Sequence, residues 1–149
     1  MSKVHSELKR RFWKQFIQTK IEGYENIYES KNATSNNGIG QETKFSGVSV
    51  YVNLNLDKIN VTLVIYSNSI EESKNIFEFL EQKSHELQKD FSERIFWKKK
   101  SFIRRIAVIT KHELRYDKQG DWDEINTWLI TTSYLLKKSA EAVLDSYDG

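Results

Sequence analysis

The sequence predicts an α+β domain, an antiparallel sheet with helices packed mainly on one face, in the order α-β-β-α-β-β-α. Three patterns carry this reading. Apolar residues recur at helical spacing near both ends of the chain, they alternate strictly through 48–66, and a second strand pair is written around a basic turn at 94–109. The 149 residues fit one domain, 1–149, with room for a hydrophobic core.

Residues 6–21 read as the first helix. Leu8, Phe12 and Phe16 share a face at i, i+4, and Trp13, Ile17 and Ile21 widen it into a broad stripe. Gly23 is the expected stop, since glycine tolerates the left-handed conformation at a helix end. Such wide aromatic faces suit packing on a sheet better than lying on a membrane surface. From 24 to 46 the periodicity fails, and Asn, Ser, Thr and Gly dominate. These residues favour turns, so a mobile loop is expected there, holding at most a short strand.

Residues 48–56 alternate, with Val48, Val50, Val52, Leu54 and Leu56 on one face and Tyr51 and Asn53 on the other. Asp57-Lys58 turns the chain, and 60–66 returns with Val61, Leu63 and Ile65 inward, leaving Tyr51, Thr62 and Tyr66 on the wet face. Ser69 and Glu72 form a capping box that opens a second helix running to about residue 89, with Ile76, Phe77, Leu80 and Leu87 as its core stripe. In the hairpin that follows, Ile106 and Val108 are expected to face the core together with Trp97. A polar connection at 112–120 leads to the last helix. That helix is expected to start at Asp121 with Glu124 as capping partner, and to turn Trp122, Ile125, Trp128, Leu129, Leu135 and Leu136 inward. Residues 145–149 read as a frayed tail.

Composition narrows the chemistry. The chain is 38% hydrophobic, 30% charged and 13% aromatic, which is the make-up of a folded globular protein and not of a disordered one. Cysteine is absent, which removes disulfides, thiolate metal sites and thiol nucleophiles. No apolar run reaches the ~18 residues of a membrane span. The opening MSKVHSELKRRFWKQF mixes charges among its apolar residues, unlike a signal peptide, so a cytoplasmic location is the expectation.

A metal-dependent nuclease centre needs an acid on one strand and Glu-x-Lys on the next. Glu42-Thr43-Lys44 has that spacing but precedes every acid near a strand, the first being Asp57. Glu72-Ser73-Lys74 and Glu81-Gln82-Lys83 read as exposed helix surface. His5, His85 and His112 lack ligand spacing. No serine sits in a GxSxG elbow, and Gly38-Ile39-Gly40 lacks the lysine of a phosphate-binding loop. No catalytic residue, no metal and no cofactor is therefore expected.

The net charge of +2 does not by itself imply a nucleic-acid partner, but its distribution points to one. Six of the twelve residues 94–105 are basic and none is acidic. Lysine and arginine at a strand turn can neutralise phosphates, a two-stranded ribbon fits the major groove, and an aromatic ring on the face opposite the core, Phe96 or Phe102, can stack on an unpaired base. The candidate interface is Arg94, Lys98, Lys99, Lys100, Phe102 and Arg104. The competing explanation is an edge strand whose lysines prevent strand-to-strand aggregation.

The strand Val61-Thr62-Leu63-Val64-Ile65-Tyr66 is followed by Asn75-Ile76-Phe77, Leu80 and Lys83. Then come Phe91, Trp97, Arg105-Ile106, Trp122 and Trp128-Leu129. Together with Phe12-Trp13 and Ser46-Gly47-Val48, this order and spacing resembles a bacterial and archaeal domain of unknown function, the family numbered 4268. The chain departs from the family pattern at His85-Glu86, where Ile-Glu is usual. Members often lie C-terminal to nuclease-like domains in restriction or defence proteins. The resemblance therefore implies an accessory role beside DNA-acting machinery and no known catalytic residues. Taken with the basic hairpin, the leading expectation is a non-enzymatic module with DNA or a nuclease-type protein as partner. The alternative is a structural or homo-oligomerising domain that uses Phe96, Phe102 and the first helix. A small hydrolase built around the 31–46 loop, or a small metal-dependent nuclease, is the third reading. No membrane partner is expected.

Overall fold

Alternation through residues 48–65 makes one face of that strand pair apolar, and burying that face organises the molecule. The computed structural model describes residues 3–101 and 104–148. Strands β1 (Gly38–Glu42), β2 (Val48–Leu54), β3 (Lys58–Tyr66), β4 (Ile95–Lys99) and β5 (Arg104–His112) form one sheet in the order β1-β2-β3-β5-β4. Every neighbouring pair is antiparallel. Helices α1 (Lys3–Gln18), α2 (Ile70–Gln82), α3 (Ser84–Gln88) and α4 (Trp122–Leu144) complete the described residues, with a short 3₁₀ turn at Gln119–Asp121. The α+β class and the antiparallel sheet are as the periodicity predicts.

Val48, Val50, Val52 and Leu54 pair in register with Ile65, Leu63, Val61 and Ile59, and all eight side chains are buried. Each such aliphatic side chain contributes roughly 1.5–3 kcal/mol through burial. Helix α4 lies over β2 and β3, and α2 over β3 and β5. Phe12, Trp13 and Phe16 of α1 are fully buried, and Phe12 meets Trp122 edge-on at 5.3 Å, which joins the first helix to the last.

The structure corrects several local expectations. Helix α1 runs Lys3–Gln18 where the periodicity predicts 6–21, and the Asn26 side-chain amide caps its end by donating to the carbonyls of Phe16 (2.8 Å) and Thr19 (3.0 Å). That capping comes from ten residues away and has no local signature. The 24–46 connection contains β1, which pairs with β2, and it buries Ile27, Tyr28 and Ile39. The Tyr28 hydroxyl donates to the Val50 carbonyl at 2.7 Å, and burial holds it well above the usual phenol range.

The second helix breaks at Lys83 into α2 and α3. Its cap is half of the expected box. Ser69 Oγ accepts from the Glu72 amide at 3.2 Å, while the Ser69 amide is taken by Ser67 Oγ. Asp121 does not cap α4 through its side chain; its carboxylate accepts from the Arg115 amide instead. The polar connection after β5 buries Leu114 and Tyr116.

In the basic hairpin, Trp97 pairs with Ala107 and Phe96 with Val108. Side chains opposite each other in a register share a face, so Trp97, Ala107 and Ile109 look toward the helices. Trp97 indeed meets Phe77 of α2 edge-on at 5.7 Å. Ile106 and Val108 therefore point to the other face, against expectation. An unbroken apolar run, Ile106-Ala107-Val108-Ile109, carries no alternation from which a face can be read.

Gly47 closes the β1–β2 connection at φ +83°, and a Cβ there would stand 3.0 Å from the Tyr66 carbonyl oxygen. The same carbonyl-lined turn takes the Tyr66 amide onto the Gly47 oxygen at 2.8 Å. Gly47→Ala is expected to destabilise the fold by about 1–2 kcal/mol. A urea midpoint equal to that of the parent protein would refute this.

Candidate nucleic-acid interface

Because α2 and α4 take one face of the sheet, the other presents, among the described residues, the strands and the loops at their ends. In register across it run Tyr51, Thr62, Val108 and Phe96, then Ser49, Val64, Ile106 and Lys98, with Asn53, Asn60 and Thr110 on the opposite side of the first row. Tyr66 pairs with Arg104 at one end, and Lys58 with His112 at the other. The face is concave and forms a groove of about 520 Å³.

Among the described residues four cations line it, Lys58, Lys98, Lys100 and Arg104, and no carboxylate does. Lys58 and Arg104 stand about eight strand residues apart, roughly 26 Å. Glu42 shares the face but sits at its far edge on β1, and Asp57 lies in the turn beside Lys58; neither lines the groove. Among the described residues none of the four cations is in an ion pair. The Arg104 guanidinium rests 5.7 Å from the centre of the Tyr66 ring. The potentials of unpaired like charges add along a groove, which makes it favourable to an anion.

The turn of the hairpin gathers the three cations at one end. The Lys100 and Ser101 amides both donate to the Arg104 carbonyl at 3.0 Å, and Ser101 Oγ accepts from the Arg104 amide at 3.1 Å. This holds Lys100 beside Arg104, while Lys98 reaches the groove from β4. The floor is polar near Lys58. Asn53 Nδ2 donates to Asn60 Oδ1 at 2.8 Å, and Thr62 Oγ1 donates to the same oxygen at 3.2 Å. Asn37 closes that end and accepts from the Lys9 ammonium, which burial holds below the usual lysine range.

Of the residues picked from the sequence, Lys98, Lys100 and Arg104 come together in the groove. Lys99 pairs with Arg105 on the helix-side face, and Arg94 lies by a separate depression shared with His85, Gln88 and Trp97. Phe102 lies outside the described residues. Sequence reasoning missed Lys58, Asn53 and Asn60 as members of the same site. The wet face of the first hairpin was legible, but nothing local says that β3 pairs with β5.

The nuclease constellation does not assemble. Glu42 stands opposite Ser49 and Asp57 follows Leu54, so the length of β2, about 20 Å, separates them. Lys44 pairs with Asp145 of the tail at 2.9 Å. Among the described residues no three His, Asp or Glu side chains gather as metal ligands, and no helix is long and apolar enough to cross a membrane.

Fold and groove define an antiparallel-sheet domain with helices on one face and a cationic groove on the other. The family model described as a domain of unknown function, DUF4268, matches residues 8–144, and the chain belongs to that family. No curated protein and no solved structure matches it.

Proposed function

We propose that this chain is a non-enzymatic accessory module that binds nucleic acid along the open face of its sheet, with the β4–β5 hairpin as the cationic end of the site. The observation that carries the reading is the groove lined by Lys58, Lys98, Lys100 and Arg104, with no carboxylate among the described residues that line it. Cations on a concave surface displace the counterions of a phosphate backbone, and that release drives affinity. The family's expected association with nuclease-like domains supports a restriction or defence setting.

The test is a fluorescence-anisotropy titration of a labelled oligonucleotide at several salt concentrations. The logarithm of affinity should fall linearly with the logarithm of salt, with a slope near −3 if all four cations meet phosphates of a single strand. Absence of binding at 20 mM salt would sink the proposal.

One observation favours a second reading. β4 is an edge strand, and Phe96 on it is 52% exposed, which suits pairing with a second copy. The lysines at its end act against that, as charge on an edge does generally. Light scattering decides: a monomer at 0.5 mM would exclude self-association as the role of this edge.

A further inference from the structure

We infer that the groove takes an unpaired strand, and that Tyr51, laid flat on Gly40, is a ring on which one base stacks. This rests on the nucleic-acid reading above and adds to it the state of the ligand and the residue that selects it. Tyr51 belongs to the row Gly40, Tyr51, Thr62, Val108, Phe96 that crosses the whole sheet. A Cβ placed on Gly40 would stand 2.6 and 2.7 Å from Cε2 and Cε1 of the Tyr51 ring and nearer still to Cζ. Near-equal distances to three atoms at the far end of the ring place that point over the ring face, because in the ring plane beyond Cζ the hydroxyl oxygen intervenes.

One face of the ring therefore rests on the Gly40 backbone, and the ring lies across β1 roughly parallel to the sheet. Its other face looks away from the sheet, and the residue is 39% exposed. A flat aromatic face, backed by glycine and opening on a cationic groove, is the geometry on which a base stacks. Glycine is needed at 40 for a steric reason and not a conformational one, since any side chain would lift the ring.

Phe96 ends the same row three strand spacings away, about 14 Å, and is also exposed. That is too far for the two rings to clamp one base, so they serve different bases of a strand that crosses the sheet. In the adjacent row, toward Lys58, Asn60 accepts twice through Oδ1, and its amide nitrogen has no hydrogen-bond acceptor among the described residues. It offers donors to a base carbonyl. In a duplex both faces of each base are already stacked, so rings of this kind act only on unpaired bases.

The experiment compares a fluorescein-labelled twelve-nucleotide single strand with the blunt duplex of the same sequence at 0.1 M salt, on the parent protein, Tyr51→Ala, Tyr51→Phe and Gly40→Val. The single strand should bind at least tenfold tighter than the duplex. Tyr51→Ala should weaken single-strand binding about tenfold or more without changing the salt slope, because no charge is removed. Tyr51→Phe should rescue most of that loss, whereas Gly40→Val, which lifts the ring, should reproduce it; circular dichroism and thermal melting check that each variant is folded.

Equal binding of duplex and single strand, or a folded Tyr51→Ala that binds the single strand as the parent does, overturns this inference and leaves nucleic-acid binding standing. No binding of either oligonucleotide at low salt overturns both.

Discussion

Replacing Lys98, Lys100 and Arg104 together with alanine is expected to lower affinity for a single strand about a hundredfold at 0.1 M salt. Each phosphate contact contributes about −0.7 to the slope of log affinity against log salt, so losing three flattens it by about 2. Lines that converge near 1 M salt then differ by about two decades at 0.1 M. The residues chosen follow the structure. Lys98, Lys100 and Arg104 line the groove, whereas Lys99 pairs with Arg105 on the helix side. Lys99→Ala is accordingly the contrasting variant, with an expected loss of less than threefold. Equal effects of Lys98→Ala and Lys99→Ala would show that the charge of the hairpin matters and the face does not.

Trp13→Ala is expected to cost about 3–5 kcal/mol and to lower the melting temperature by on the order of 10 °C. The side chain is fully buried, with its ring edge-on to Phe12 at 5.2 Å and to Phe16 at 5.3 Å. Its indole Nε1 donates to the Asn36 carbonyl at 2.9 Å, so it also ties α1 to the segment that leads into β1. Truncation leaves a large cavity and removes this hydrogen bond at once. Trp13→Phe should lose about 1–2 kcal/mol, chiefly through the hydrogen bond. A melting temperature within 2 °C of the parent for Trp13→Ala would mean that the aromatic stripe of α1 is not part of the core.

The first hairpin shows how far a local pattern reaches. Val48 to Leu54 and Ile59 to Ile65 alternate, so both the strands and the faces they bury follow from period two alone. β1 did not stand out, because Gly38-Ile39-Gly40-Gln41-Glu42 has one apolar side chain and is a strand only by pairing with β2. The cap on α1 was hidden for a similar reason, since Asn26 reaches carbonyls ten residues back. In the second hairpin the apolar run around Val108 concealed which face is which, until the pairing with Phe96 decided it.

The groove marks the boundary most sharply. By itself the sequence determined the α+β class, the two strand pairs, the aromatic core helices and the cluster of charge at 98–105, because each is written in residues within a few turns or strands of one another. Only the tertiary structure decided that β3 pairs with β5, which carries Lys58, Asn60 and Thr62 into one surface with Lys98 and Arg104, and sets Tyr51 on Gly40 beside them. Strand order depends on which edges bury the most apolar surface together. That is a sum over the whole chain, and no window of the sequence contains it.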